Sequence, residues 1–244
     1  MSKIKSIVVL FLLLFSVIVN AQPNNQPFSY LDKLEIEGYK EKYLLVELDK
    51  STVYNKKRKN LDKDNPFFAE ECEGESMTLV AICKIDYNSE KEYAIVFSTC
   101  PGPEFVIYNS ENPNEIIGQI NADKLYVNGS GKLYSSGGEG TFDVRRKFEF
   151  IGGKLKHVDQ PMYYVGLKSK TMKPITVYST TKLETIIAKL PANYEIEVLL
   201  SKKPFNQTRA LYLVKTGFGL VGWSTLTAGQ YKAVDVKGLV YVGD

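Results

Sequence analysis

Residues 219–226 read GLVGWSTL and contain Trp223, the one tryptophan in a chain of 244 residues. Small and β-branched residues flank it, a composition that favours a strand entered through a glycine turn. Outward from it, residues 209–216 (RALYLVKT), 194–200 (YEIEVLL) and 175–178 (ITVY) carry the same dense β-branched and aromatic content. Residues 182–190 (KLETIIAKL) obey a different rule. Leu183, Ile186, Ile187 and Leu190 fall at i, i+3, i+4 and i+7, Thr181 with Glu184 makes a capping box, and Pro191 stops the run. Local rules alone give a short helix there.

Upstream, residues 43–48 (YLLVEL) read as a first strand, and 50–76 as a long connection dominated by glycine, proline and charge. Connections of that length in compact domains are functional or disordered. A hairpin follows, 77–87 (MTLVAICKIDY) and 92–99 (EYAIVFST), joined by the polar NSEK. Strands are expected at 104–108, 115–120 and 124–127, then a Gly/Ser-rich stretch at 128–140 that suits hairpin turns. In 141–151 (TFDVRRKFEFI), Phe142, Val144, Phe148 and Phe150 fall on one face, interrupted by Arg146. Turn signals recurring at about 8–12 residues indicate an all-β, antiparallel organisation rather than βαβ units. Asp159-Gln160-Pro161 breaks the pattern. The expected layout is an antiparallel β domain over 22–160 and a second β domain over 161–244.

The second region, roughly 172–226, resembles the bacterial SH3-like domains of exported and cell-wall-associated proteins. The resemblance rests on Ile175–Tyr178 as opening strand, on 187–190 running into the turn Pro191-Ala192-Asn193, and on the alternating strand 194–200. Tyr212 to Lys215 and the pair Gly222-Trp223 complete it. Two positions depart from the family. Tyr178-Ser-Thr-Thr181 replaces the usual Arg-Ser and Gly-Pro of the first loop, and Tyr212 stands where a second tryptophan is common. The resemblance implies a small barrel and, on it, a groove lined by Tyr178, Tyr212 and Trp223 on which a peptide or glycan could stack. It also recasts 182–190 as one helical turn running into a strand.

Lys3 and Lys5 precede an apolar run from Ile7 to Val19, broken by Ser16 and followed by Val19-Asn20-Ala21. That is the form of a secretory signal peptide, residues 1–21, cut after Ala21. The run is short of the roughly 20 residues that span a bilayer, so the mature chain is expected in the periplasm or outside the cell, without a membrane span. The 31 lysines and arginines exceed the 28 aspartates and glutamates by three; losing Lys3 and Lys5 leaves +1. A near-neutral chain lacks the electrostatic footprint of a nucleic-acid binder.

Export permits disulfides among Cys72, Cys83 and Cys100. With the hairpin turn near 88–91, Cys83 would face about Val96, too far along the strand from Cys100 to bridge it. Cys72–Cys100 is the better pair, with Cys83 a buried free thiol. His157 is the one histidine. A Cys/His nucleophile pair would need a cysteine beside it, with Asp159 as orienter, yet no helix begins at a cysteine. No nucleophile elbow, phosphate loop or zinc spacing occurs. The acids Asp62, Asp64, Glu70, Glu71, Glu73 and Glu75 lack EF-hand spacing. No catalytic residue, metal or cofactor is expected. These features favour an exported, non-enzymatic binding or scaffolding protein of the cell envelope, docking peptide, peptidoglycan or its own N-terminal domain. The alternative is an envelope hydrolase, or its accessory, using Cys/His chemistry.

Overall fold

Turn residues interrupt the chain too often for helices, and every regular element among the described residues is a strand. The structure is a computed structural model describing residues 28, 30–37, 43–48, 53–55, 59–60, 66–67, 77–98, 102–137, 140–203 and 209–241. The chain divides into two compact units, Met1–Tyr30 and Leu31–Asp244, and the strands all belong to the second. In chain order the strands are β1 (Asp32–Glu37), β2 (Tyr43–Leu48), β3 (Val53–Asn55), β4 (Lys59–Asn60), β5 (Met77–Lys84), β6 (Glu92–Ser98), β7 (Glu104–Asn109) and β8 (Ile116–Asn121). There follow β9 (Lys124–Val127), β10 (Lys132–Ser136), β11 (Arg146–Ile151), β12 (Lys154–His157), β13 (Tyr163–Lys170) and β14 (Ile175–Tyr178). The last are β15 (Ile186–Leu190), β16 (Glu195–Ser201), β17 (Arg209–Thr216), β18 (Val221–Thr227), β19 (Gly229–Gln230) and β20 (Val240–Tyr241).

Three six-stranded sheets result. One has the order β1-β2-β9-β10-β11-β12; another runs β3-β5-β6-β7-β8, with β4 also on β5. The third runs β13-β16-β17-β18-β14-β15. Pairing is antiparallel except between β2 and β9 and in the short β19–β20 pair.

The first two sheets face each other across a core of Val80, Ile85, Ile95, Phe97, Phe105, Ile107, Leu125, Leu133 and Phe148 with their neighbours. Phe97 and Phe105 tilt at 5.4 Å between ring centroids, a contact worth about 0.5–1.5 kcal/mol beyond its area. The β5–β8 meander also buries its other face. Met77, Ala94, Val96, Val106 and Tyr108 cluster there with Phe67, whose ring lies 5.6 Å from that of Tyr108. Part of the 50–76 connection therefore has structure: Phe67 packs on the meander, and β3 and β4 pair with β5.

The third sheet buries one face. Ile175, Val177, Leu190, Ile196, Val198, Tyr212, Val214, Leu226, Val236 and Leu239 form one cluster to which β14 through β18 all contribute. Its strands alternate accordingly, as in β17, where Ala210, Tyr212, Val214 and Thr216 are buried and the residues between them are not.

Several local expectations change. Cys83 faces Tyr93, not Val96. The chain leaves the ladder at Ile85 because Asp86 bridges to Ser130 instead, and a bulge between Leu79 and Ala81 shifts the rest. No helical turn forms in 182–190. Leu183 adopts φ 59°, Ser179 N–H donates to the Thr185 carbonyl, and Ile186 onward pairs with β14. Two adjacent β-branched isoleucines and a waiting ladder outweigh the helical spacing. The alternating run 141–151 becomes strand only from Arg146. Arg146 stays on the buried side, donating from Nη1 to the Asn121 carbonyl at 2.9 Å. Phe142 packs instead against the core of the third sheet. Residues 163–170, just after the break at Asp159-Gln160-Pro161 and not predicted as a strand, form β13 at that sheet's edge.

Candidate functional site

One row of side chains crosses the outer face of the third sheet. Tyr178 lies opposite Trp223, Trp223 opposite Leu213, Leu213 opposite Leu200 and Leu200 opposite Tyr164. Five neighbouring strands spaced about 4.8 Å apart carry this row over roughly 19 Å. Each directly opposed pair contributes about 0.2–1 kcal/mol to the sheet, so the row holds the face together as well as presenting it. Tyr178, Trp223, Leu213 and Leu200 are half-buried, and Tyr164 is 48% exposed.

Gly222 explains how the row is assembled. A Cβ there would meet the Tyr178 carbonyl oxygen and Ile187 Cδ1, both at 2.6 Å. Only a residue without a side chain lets β14 approach β18 so closely, and that approach sets Tyr178 opposite Trp223. Beyond the row, Val221, Leu220 and Phe218 continue the apolar surface, with Phe218 83% exposed at the tip of the β17–β18 hairpin. The tip is braced by Gly219 N–H donating to the Thr216 carbonyl and Leu220 N–H to Thr216 Oγ1.

A charged row runs beside the apolar one. Lys168 faces Glu197, and Glu197 faces Lys215. With Lys170 and Glu195, which stand 3.7 Å apart, these side chains border a shallow depression of about 520 Å³ that also includes Gly217.

Of the three aromatic residues expected to share a groove, the structure brings two together. Tyr178 and Trp223 share the outer face. Tyr212 is 1% exposed on the inner face, where its hydroxyl hydrogen-bonds Thr141 and Ser201. Burial raises its pKa and those hydrogen bonds offset part of the rise. Tyr164, Leu200 and Leu213 complete the row but do not stand out in the sequence. Tyr164 lies after the break at 159–161, in a stretch for which the sequence alone predicts no strand. For β17, strict alternation alone puts Leu211 and Leu213 on the face opposite Tyr212, and that signal is present in the residues.

Cys83 is fully buried. Burial first, and Glu92 second, push its thiol up to about 12, leaving a protonated, unreactive sulfur at neutral pH. It is a free thiol as expected; Cys72 and Cys100 lie outside the described residues, as do Asp62, Asp64 and Glu70 through Glu75. His157 sits on β12 with its ring edge-on to Phe148 at 5.6 Å and Nδ1 3.7 Å from Asp159. Burial lowers its pKa, Asp159 opposes this and Arg146 adds to it. Among the described residues no three His, Cys, Asp or Glu side chains group to hold a metal, and no helix is long and apolar enough to cross a membrane.

Compared with known proteins, the chain matches no family model, no curated protein and no solved structure.

Proposed function

We propose that this is an exported, non-enzymatic binding or scaffolding protein of the cell envelope, whose SH3-like C-terminal sheet docks peptide or cell-wall material on its outer face. The observation that carries the reading is the cross-strand row Tyr178–Trp223–Leu213–Leu200–Tyr164. It is an apolar, aromatic-ended track lying beside alternating charges, the surface that an extended peptide or a glycan chain fits. Export rests on the form of residues 1–21.

The sole tryptophan supplies the assay. Soluble peptidoglycan fragments and short peptides, titrated into the mature chain, should shift Trp223 emission to shorter wavelength. Leu213→Ser with Tyr178→Ala should weaken capture on intact cell-wall sacculi by about tenfold, with circular dichroism showing that the double variant is still folded at the assay temperature. Undiminished capture by the double variant would remove the row from the binding surface. Hydrolysis of the same material that disappears in His157→Ala would overturn the non-enzymatic reading.

A second reading has its own observation. Arg145 lies over the Tyr164 ring at 5.0 Å, and Phe142 packs into the third sheet's core. The sheet then serves to dock the chain's own N-terminal region, and the row is a structural seam. In that case neither peptides nor wall fragments move Trp223 emission.

A further inference from the structure

Cations border the apolar row of the third sheet on both sides. Two residues further along the strands, about 7 Å away, Lys168 faces Glu197 and Glu197 faces Lys215. On the other side of the row, Lys189 of β15 lies opposite Thr176, two residues before Tyr178 on β14. Arg209 begins β17, four residues before Leu213 and therefore on the same face. Lys168, Lys189, Arg209 and Lys215 are all exposed. Among the described residues none of these four forms an ion pair.

Against these four cations the face sets one unpaired carboxylate, Glu197. The other charges around its border cancel. Lys170 stands 3.7 Å from Glu195 and Arg145 3.7 Å from Asp143. Lys182 and Glu184 share the turn before β15. Four against one leaves the outer face with an excess of three positive charges. The wider region has the same sign, with eleven lysines and arginines in residues 161–244 against five aspartates and glutamates. Unpaired cations so close together repel one another, and a ligand that brings carboxylates relieves the repulsion. Exposed pairs of this kind add little affinity each, but they discriminate between partners by charge.

The middle of the row decides between peptide and glycan. A sugar ring stacks on a flat aromatic face, and the aromatic rings stand toward the ends of the row, Tyr178 and Trp223 at one and Tyr164 at the other. Between them are Leu213 and Leu200, branched aliphatic groups best matched by other apolar side chains. A neutral glycan leaves the four cations without partners, and an anionic glycan leaves the leucines without them. A peptide with both acidic and apolar side chains satisfies both, and about six extended residues cover the roughly 19 Å of the row. Given that the outer face is the binding surface, we propose that its ligand is an extended acidic peptide. Its apolar side chains lie on the row, and its carboxylates point to Lys168 and Lys215 on one side and to Lys189 on the other.

The test is affinity selection from a random dodecapeptide library on the mature chain, followed by titration of the enriched peptides with Trp223 emission as readout. The enriched peptides should carry net negative charge and apolar residues, and should shift the emission to shorter wavelength. Replacing Asp and Glu by Asn and Gln in an enriched peptide should weaken its binding by about tenfold, and about 0.5 M salt should do the same. Lys168→Gln with Lys215→Gln should weaken the acidic peptide by about fivefold, leave its Asn/Gln counterpart unaffected and leave the circular dichroism spectrum unchanged. Enrichment of neutral or basic peptides would overturn the proposal, and so would undiminished binding of the acidic peptide by the double variant. In both cases a Trp223 response keeps the outer face as the binding surface. An emission shift with N-acetylglucosamine oligomers and none with any peptide would also overturn the proposal while keeping the face. Silence from every peptide and every wall fragment would remove both.

Discussion

The β5–β8 meander and the β13–β18 sheet are both antiparallel, yet they use their faces differently. The meander is buried on both sides, so its strands carry runs such as Phe105 to Tyr108 with four consecutive buried residues. The third sheet is buried on one side, and β17 and β18 alternate strictly. A strand with two buried faces has no side chain to spare for a partner. A strand with one buried face keeps every second residue available, and in this chain those residues line up as Tyr178, Trp223, Leu213, Leu200 and Tyr164.

The comparison breaks most sharply under core truncation. Ile107→Ala and Met77→Ala lie on opposite faces of the meander, and each should cost about 2–5 kcal/mol in chemical denaturation. On the third sheet the same loss is expected for Leu226→Ala, fully buried on the inner face, but no more than about 1 kcal/mol for Leu213→Ala on the outer. Equal costs for the two leucines would mean that the outer face is a second core.

A smaller effect sharpens how the third sheet is closed beyond β18. Asp235 is 4% exposed; one carboxylate oxygen accepts the Thr227 N–H at 2.8 Å and the other lies 2.7 Å from Lys173 Nζ. Asp235→Ala leaves that buried N–H without its acceptor and should cost about 1–3 kcal/mol. Lys173→Met should cost less, because the lysine is half-exposed and the carboxylate keeps its backbone donor. Reversal of that order in melting experiments would show the ion pair, not the backbone bond, to be the clasp.

The smallest effect belongs to the other region. The His157 pKa is lowered from 6.5 in the folded chain. The unfolded chain therefore binds the proton first as pH falls, and stability present above about 6.5 declines as pH drops through the folded value. The residue is exposed, so the loss should stay well under about 1 kcal/mol. Melting curves between pH 8 and 5 should show an acid-side decline that is shallower in His157→Gln. An identical slope would assign the decline elsewhere.

Much of the fold was legible in the residues. Dense β-branched runs and polar turns give β2, β5 to β9, β14 and β16 to β18 within a few positions, because burial and β-propensity agree there. Where they disagree, the reading slips. Residues 182–190 carry a helical spacing that only the neighbouring β14 overrides. The turn after Cys83 is lengthened by a bridge to a loop more than forty residues away, which no local rule contains. The candidate site was half-visible for a related reason. Tyr178 and Trp223 stand out by type, but their partners depend on register. Bulges between Val198 and Leu200 and between Tyr164 and Leu167 set that register, and one residue of slip sends a side chain to the other face.

Phe142 and the Thr141–Tyr212 hydrogen bond also bear on how such a chain can be inherited. The segment that supplies them precedes β11 and β12, strands of the N-terminal sheets, yet it fills the core of the sheet that starts at β13. A recombination crossover at 158–162, where the sequence pattern breaks, would carry the third sheet away without that plug. Tyr212 would lose one hydrogen-bond partner and the core one aromatic side. The two regions are therefore interlocked in packing, and a third sheet separated from residues 141–142 would need another side chain to fill the place of Phe142.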